Sequence, residues 1–366
     1  MVQAQELESF VDTFDELDDP RIERGRLYPL PEVLLVTLCG VIAKCERWCD
    51  IEDFARQRLA FLRRFRPFEN GVPSDDTLRR VFRALEPEPF SELFGRWVGR
   101  WYTGGGGEGD EHGAEGGAAR QIAIDSKTLR GSAEGGRGAL HLLSVFATEA
   151  RVVLAQQAVG EKANEVTAIP ELLEASDVRG ATVTIDAIGC QREIAARIVE
   201  GGGQYVLGLK DNQPGLHEDV SLFFDSPPRT AVVDIEEQAD KGHGRIERRV
   251  ATVCTDVAWL RQRHPQWDSI GAIVRIEAER TVGAVRSGER ARYYLASAAL
   301  SASEAQRAVR SHWQIENGLH WVLDMSFGED ASRVRRGHAV ANLAVVRMRC
   351  STRSARSSRH VRASSG

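Results

Sequence analysis

The 366-residue chain has the composition of an ordinary folded protein: 42% of its residues are hydrophobic, 28% are charged, and its mean hydropathy is −0.31. Its net charge of −5 excludes non-specific binding of polyanions by the whole surface, although it leaves room for local basic patches. No apolar run approaches the roughly 20 residues that a membrane helix needs, and the acidic N-terminus is neither a signal peptide nor a transit peptide. These features predict a cytoplasmic protein with two or three domains and no membrane partner.

Apolar residues recur at three- and four-residue spacing through residues 1–102, which predicts an all-helical N-terminal domain. Its segment VPSDDTLRRVFRAL contains a proline, a polar turn and then a helix that carries Arg79, Arg80 and Arg83. This order is typical of the start of a recognition helix in a helix-turn-helix module, so the three arginines are candidate DNA contacts. An ordinary packing helix with a solvated basic face explains the same residues equally well.

A glycine-rich stretch at residues 103–119 follows this region. Eight of the fourteen residues from Gly104 to Gly117 are glycine and most of the others are acidic, so we expect a flexible linker and a domain boundary. The next pattern predicts a strand that ends on Asp125, a hairpin, a helix, a strand that ends in Asp186, a second helix and a further strand. This plan is typical of a mixed α/β domain with carboxylates at the ends of two strands.

A strand-rich segment at about residues 214–299 is interpreted as an insertion before a long helix. That helix lies in Ser301–Asp330, which opens with a capping-box pattern. A polar row on such a helix is typical of the wall of a site, although a packed helix with a polar seam would look the same. Four side chains at intervals of four residues would form this row: His312, Glu316, His320 and Asp324.

The chain ends in an Arg- and Ser-rich stretch at residues 347–366. This stretch contains six arginines and no acidic residue, and it has no apolar periodicity. It therefore predicts a disordered basic tail that contacts phosphates electrostatically.

Three separated acids, Asp125, Asp186 and Glu316, are the main candidate site. The ends of two neighbouring parallel strands can meet, and a helix that covers them can bring the third acid. Clustered carboxylates repel one another and are seldom gathered without a cation. Oxygen ligands suit Mg²⁺, and two such ions about 4 Å apart support in-line phosphoryl transfer. Taken singly, each acid is explained equally well as a charge at a strand end or on a helix face.

A zinc hydrolase built on His312, Glu316 and His320 is a second hypothesis. It lacks the HExxH spacing of such enzymes, and it leaves Asp125 and Asp186 unexplained. The zinc hypothesis is therefore the weaker of the two.

The sequence resembles bacterial insertion-sequence transposases with an Asp-Asp-Glu triad, in the ISAs-type branch that includes the H-repeat-associated proteins. The matching segments in chain order are IAIDSKTLRGS, KANEVTAIPELL, TIDAIGCQ, YVLGLKDNQ, HGRIERR and SHWQIENGLHWVLDMSFGEDASRVRRG. The resemblance covers about residues 8–347, and its last motif is quite specific. It implies an α/β fold: a ribonuclease H-like mixed sheet with a strand-rich insertion, preceded by an all-α transposase-associated domain. The catalytic domain would span residues 120–346.

The resemblance implies that Asp125, Asp186 and Glu316 are both the catalytic residues and the metal ligands, with Mg²⁺ as the cofactor and Mn²⁺ as a substitute. It implies DNA cleavage and strand transfer by two-metal phosphoryl transfer. The implied partner is double-stranded DNA, at the terminal inverted repeats and at the target, bound by a homodimer that associates with the bacterial nucleoid. The candidate DNA contacts within the catalytic domain are Lys127, Lys210, His243, Arg245, His312, Asn317 and His320.

The sequence departs from related transposases around the last acid. They often carry Tyr, Arg and Lys at positions where this chain has Val309, His312 and Leu323. In the ISAs-type branch, other polar residues beside Glu316 would take over the DNA contacts, and their individual roles do not transfer.

A second departure concerns the C-terminus. The family continues into a leucine-rich helix where this chain has residues 347–366, as a frameshift would produce. Without that helix, we expect Val322, Leu343 and Val346 to face water and the stability of the protein to be low. An inactive, C-terminally frameshifted remnant that only binds DNA is therefore the alternative function.

Overall fold

The computed structural model describes residues 4–103, 120–136, 138–159, 165–242, 244–283, 285–288, 291–348 and 350–351. The predicted linker, from residue 104 onward, and residues 352–366 of the predicted tail lie outside this part of the chain. Within it, a helical region precedes one large mixed sheet with apolar clusters on both faces.

Six helices form the N-terminal region, as predicted. They are α1 (Ala4–Phe14), α2 (Leu30–Ile42), α3 (Trp48–Gln57), α4 (Leu59–Leu62), α5 (Asp75–Ala84) and α6 (Pro87–Thr103). Their apolar faces meet in an aromatic core, where the ring centroids of Phe14, Phe90 and Phe94 lie 5.6–5.8 Å from one another. The predicted cap of α5 is present, because the Ser74 hydroxyl accepts a hydrogen bond from the Thr77 amide at 3.3 Å.

One apolar stretch differs from the sequence prediction. Glu23–Ile42 is long and apolar enough to cross a membrane by length and composition, although the sequence analysis expects no such run. In the structure, 61% of its most apolar window is buried inside the protein. A helix that is apolar on all sides is buried in a core when other elements surround it, and α2 is such a helix here.

The sheet contains ten strands. They are β1 (Gln121–Leu129), β2 (Leu140–Ala147), β3 (Val152–Val159), β4 (Thr182–Ile185), β5 (Gln204–Leu209), β6 (Asp234–Gly242), β7 (Arg245–Cys254), β8 (Ala272–Val282), β9 (Val285–Gly288) and β10 (Arg292–Ala296). Their order is β3-β2-β1-β4-β5-β10-β8-β7-β6, with β9 paired to β8. The strands β1, β4 and β5 run parallel, and the other pairs are antiparallel.

The first five strands form the ribonuclease H-like mixed sheet that the resemblance implied, so the fold class is confirmed. The strand-rich segment at about 214–299 does not form a separate layer. Its last strand, β10, pairs with β5, and β8, β7 and β6 continue the same sheet outward. The segment therefore widens the surface beside the core instead of covering it.

Helices pack on both faces of the sheet. They are α7 (Glu165–Glu174), α8 (Arg192–Glu200), α9 (Pro214–Asp225), α10 (Ala258–Arg263), α11 (Ala302–Ile315), α12 (Trp321–Phe327) and α13 (Ala339–Met348). Alternate residues of β1 face opposite sides of the sheet. Ile122 and Ile124 pack with α7, α8 and α9, whereas Ala123 belongs to the cluster that includes α12 and α13.

The N-terminal helices and the catalytic sheet share one apolar core through α13. Side chains of α13 lie in the same cluster as those of α1 to α6 and of β1 to β3. The fully buried Asn342 amide donates hydrogen bonds to the carbonyl oxygens of Phe82 at 3.0 Å and Leu85 at 2.8 Å, at the end of α5. The N-terminal region is therefore packed against the catalytic core, and its fold depends on the C-terminal helix.

The C-terminal helix corrects the predicted start of the tail. Residues 347, 348, 350 and 351 are helical and buried, so the predicted disorder does not begin at residue 347. The Arg347 side chain is only 3% exposed because its guanidinium forms a buried ion pair with Glu329 at 3.0 Å. Leu343 and Val346, expected to face water, are 3% and 2% exposed, and Val322 is partly buried. An arginine interrupts an apolar sequence pattern, but a paired arginine can still continue the buried face of a helix.

This arrangement predicts that Leu343→Ala destabilises the whole chain. Removing a fully packed leucine costs about 2–5 kcal/mol of unfolding free energy, through reduced burial and the cavity left behind. Val285→Ala is the matched control, since Val285 is 71% exposed and its truncation should cost less than about 0.5 kcal/mol. Urea unfolding followed by circular dichroism and tryptophan fluorescence measures both. Equal, small effects of the two substitutions would show that α13 does not pack as described.

Candidate active site

The register of the parallel strands brings two of the predicted acids side by side. Ile124 of β1 is aligned with Ile185 of β4, so the next residues, Asp125 and Asp186, lie at the same level. The strand β4 ends there, as predicted, but β1 continues to Leu129 because β2 still pairs with it. The exposed Asp186 carboxylate accepts a hydrogen bond from the Ile188 amide at 3.1 Å, which fixes its direction.

The helix α11 crosses these two strands and positions the third acid. It begins at Ser301, where the predicted capping box with Glu304 is formed. Its sheet-facing alanines allow a close approach, and the buried Gln121 amide of β1 donates to the Ala308 carbonyl at 2.6 Å. Farther along, the Thr184 hydroxyl of β4 lies 3.1 Å from His312 Nδ1. The helix is thus fixed to both strands that carry the aspartates.

After α11 the helix passes through a π-helical turn, Glu316–His320, before α12 begins. This turn holds Glu316 and His320 beside Asp125: His320 Nδ1 lies 3.5 Å from Glu316 Oε2 and 3.8 Å from Asp125 Oδ2. One donor atom from each of the three residues lies within 4.8 Å of the other two. Turns of this kind occur often at functional sites.

The three acids line one cleft of about 350 Å³, which also receives Lys210 and His312. Its walls come from the ends of β1, β4 and β5, from β10 and from α11. All three residues that the sequence placed in the triad therefore line this cleft, although Asp186 lies outside the close group formed by Asp125, Glu316 and His320.

The electrostatics of the cleft favour a bound cation. Burial, followed by the charge of Glu316, raises the pKa of Asp125 to about 8. The imidazole of His320 beside Glu316 lowers the pKa of that carboxyl to about 2. Burial lowers the pKa of His312. Asp125 and Glu316 repel each other when both are ionised, and their carboxylate oxygens are ligands that divalent cations prefer.

Two of the predicted DNA contacts, Lys127 and His320, are buried. The Lys127 side chain is 7% exposed, and its ammonium pairs with Asp324 at 2.7 Å and Asp330 at 3.3 Å. It lies two residues from Asp125 on β1 and therefore faces the same side of the sheet, beneath α12. His320 is 5% exposed, because it lies on the sheet-facing side of its helix. The role of Asp330 was missed by sequence reasoning.

The other DNA contacts predicted within the catalytic domain lie at two different sites in the described part of the chain. Lys210 and His312 line the cleft, whereas Arg245 and Asn317 line a neighbouring groove. His243 lies outside the described residues.

The three arginines of the predicted recognition helix lie on α5 and line neither the cleft nor the groove, as far as the described residues show. Arg79 pairs with Asp75 at 2.5 Å and Arg80 with Asp76 at 3.2 Å, so acids of the same helix partly neutralise them. Arg83 is partly exposed.

The groove was not predicted as a site. It encloses about 830 Å³ between the face of β7, β8 and β10 and the helices around the π-helical turn. Trp313, which is 43% exposed, lines it and has the Arg292 guanidinium 5.2 Å from its ring centroid. Seven arginines contribute to the lining: Arg151, Arg245, Arg248, Arg249, Arg280, Arg292 and Arg310. The sequence does show basic residues on the three strands β7, β8 and β10. Only the order of the strands in the sheet reveals that these residues line one groove.

A polar cluster on the other face of β1 was also missed. The Ser126 hydroxyl donates to Glu165 at 2.6 Å, and His141 Nδ1 lies 3.7 Å from the same carboxylate oxygen. Glu165, at the first residue of α7, is only 2% exposed. Because the Ser126 amide donates to Asp125 at 2.8 Å, this cluster lies directly beside the candidate metal ligand Asp125.

Comparisons with known proteins agree with this geometry. Residues 11–98 match the family described as DDE_Tnp_1-associated, and residues 116–352 match the family described as Transposase DDE domain. The putative transposase YncI of Escherichia coli O157:H7 is 35% identical over 341 residues, which cover 91% of this chain and 84% of that protein. The H repeat-associated putative transposase YhhI of Escherichia coli K12 is 37% identical over 321 residues, covering 85% and 81% respectively.

A protein from the dhlA 3' region of Xanthobacter autotrophicus is 39% identical over 279 residues, covering 76% of this chain and 90% of that protein. Among solved structures, the piggyBac transposase synaptic complex with hairpin DNA aligns with a TM-score of 0.43 and 8% identity, over 98% of this chain and 74% of that chain. A structural similarity this low supports no inference about the site. The two family matches and the sequence relatives show that the chain belongs to the bacterial DDE-type insertion-sequence transposases.

Proposed function

We propose that this transposase cleaves DNA at the ends of its insertion sequence and joins those ends to target DNA by metal-dependent phosphoryl transfer. The observation that carries the proposal is the convergence of Asp125, Asp186 and Glu316 on one cleft. Three acids from distant parts of the sequence meet there only because the β1–β4 register and the docking of α11 bring them together.

The donor set supports Mg²⁺ as the cofactor, with Mn²⁺ as a substitute. Asp125, Asp186 and Glu316 would hold the ions, which supply activation of the attacking oxygen and stabilisation of the leaving oxygen. The protein keeps these ligands in place through the contacts of Gln121 and Thr184 with α11. The exposed Lys210 at the cleft supplies a positive charge that suits a phosphate of the bound strand.

The arginine groove supports a path for double-stranded DNA toward the acids. It shares Arg292, Tyr294, Val309 and Trp313 with the cleft, so the two cavities are adjacent. Seven arginines and two glutamates line it, which makes it basic in a chain whose overall charge is −5. A basic surface of this kind provides the phosphate contacts on which DNA affinity depends.

The oligomeric state and the location follow from the same proposal. An insertion sequence has two ends, so we include a homodimer in the DNA complex, bound to both terminal inverted repeats and associated with the nucleoid. The alternative function, an inactive remnant that only binds DNA, depended on a missing core helix. Leu343 and Val346 of α13 are buried, contrary to the expectation that they face water. Residues 352–366, where most of that helix would lie, fall outside the described part of the chain, so the alternative stays a prediction.

The proposal predicts that each acid is essential. Asp125→Ala, Asp186→Ala and Glu316→Ala should each lower Mg²⁺-dependent cleavage of terminal-repeat DNA by at least about 100-fold, since each removes a metal ligand that stabilises the transition state. DNA binding in a mobility-shift assay should persist, because the basic groove is unchanged. Asp211→Ala is the matched control, since its carboxylate is 99% exposed beside Lys210. A variant of the triad that cleaves at the control rate would remove that residue from the catalytic set.

The groove proposal predicts a change in salt dependence. Arg245→Ala combined with Arg280→Ala should weaken DNA binding and lower the slope of log affinity against log salt by roughly 0.9 for each phosphate that the variant no longer neutralises. The control is Arg197→Ala on α8, which removes a half-exposed arginine from the opposite face of the sheet. Unchanged affinity and slope in the double variant would show that DNA follows another surface.

A further inference from the structure

His320 is a buried histidine whose ring faces the carboxylates of Asp125 and Glu316. Its side chain is 7% exposed, and its Nδ1 points between two carboxylates, 3.5 Å from Glu316 Oε2 and 3.8 Å from Asp125 Oδ2. The other ring nitrogen, Nε2, is buried and has no hydrogen-bond partner in the described part of the chain. Nδ1 is therefore the ring nitrogen that is available to an ion held between the two carboxylates.

The spacing of the donor atoms suits a shared ion better than direct hydrogen bonds. A distance of 3.5 Å is at the limit for a hydrogen bond, and 3.8 Å is beyond it. Ligands of an octahedral ion with bonds of about 2.1 Å lie about 3.0 Å apart when adjacent and about 4.2 Å apart when opposite. The two separations from His320 Nδ1, 3.5 Å to Glu316 and 3.8 Å to Asp125, lie between these values, and one donor atom from each of the three residues lies within 4.8 Å of the other two.

We propose that His320 is a nitrogen ligand of a divalent ion held with Asp125 and Glu316, and that this ligand favours Mn²⁺ over Mg²⁺. The inference rests on the proposed function, which places metal ions in the same cleft. Imidazole is a good ligand for first-row transition ions, whereas Mg²⁺ strongly prefers oxygen. His320 would thereby raise the affinity of the site for Mn²⁺ relative to Mg²⁺ without excluding Mg²⁺ as the cofactor.

His312 provides an internal comparison. It lies two helical turns before His320 and lines the same cleft, but its Nδ1 is occupied by the Thr184 hydroxyl at 3.1 Å. It also lies outside the group of three donors. The two histidines therefore differ in role although the sequence spaces them evenly along one helix.

The test uses the full chain loaded with Mn²⁺ and no DNA. Electron spin-echo spectroscopy detects nitrogen bound to Mn²⁺, and ¹⁵N-labelled histidine in the wild-type protein changes that signal only if a histidine is a ligand. We expect a histidine nitrogen signal that His320→Gln abolishes and His312→Gln retains. Calorimetry should show Mn²⁺ affinity about tenfold weaker in His320→Gln, with Mg²⁺ affinity changed by less than about threefold.

The outcomes separate this proposal from the one before it. Mn²⁺ binding without a histidine nitrogen signal in the wild-type protein, or a signal abolished in His312→Gln instead, overturns the role of His320 and leaves the catalytic proposal intact. Failure of the wild-type protein to bind either ion contradicts both. Circular dichroism checks the fold of each variant, and His320→Asn replaces His320→Gln if the latter unfolds. The labelled wild-type protein decides whether any histidine is a ligand without relying on a variant.

Discussion

The mutual repulsion of Asp125 and Glu316 is the constraint on which the rest of the structure depends. Two carboxylates in a partly buried cleft do not approach each other unless packing elsewhere holds them there. Burial, followed by the charge of Glu316, raises the pKa of Asp125. The opposing force is the docking of α11, fixed by the buried Gln121 amide and by the interdigitation of small side chains with the sheet. The repulsion between Asp125 and Glu316 therefore remains in the folded protein, and a divalent ion bound between them would reduce it.

Apolar side chains on the helical segment from α11 to α12 join the N-terminal helices to the sheet domain. Ile315, Leu319 and Leu323 lie in one apolar cluster with α1 to α6 and α13. The helix that carries Glu316 is thus held between the sheet and the N-terminal region. Side chains of α5 belong to the same apolar cluster, so the N-terminal helices and the helix of Glu316 share one core.

Sequence patterns predicted the helices and strands that have a regular hydrophobic period. They missed the contacts between side chains that are far apart in sequence. Asp125 and Asp186 were found because strand ends in a parallel sheet meet, and Glu316 because its helix has a clear cap and row. The failures have physical causes. Lys127 and His320 are buried polar residues that lie close to Asp324 and Asp125, nearly 200 residues away in sequence, so no local pattern reveals that they face inward. Arg347 ended the apparent apolar pattern, although Glu329 neutralises it inside the core.

The π-helical turn shows why such failures gather at a functional site. A regular helix would repeat every 3.6 residues and place His312, Glu316, His320 and Asp324 on a gradually rotating row. The turn at Glu316–His320 widens the helix locally, and all four side chains still face the strands: His312 meets Thr184, Glu316 and His320 meet Asp125, and Asp324 meets Lys127. Local backbone regularity is given up there to keep four polar side chains on one face. A departure from the regular repeat that places several polar side chains together is typical of functional sites.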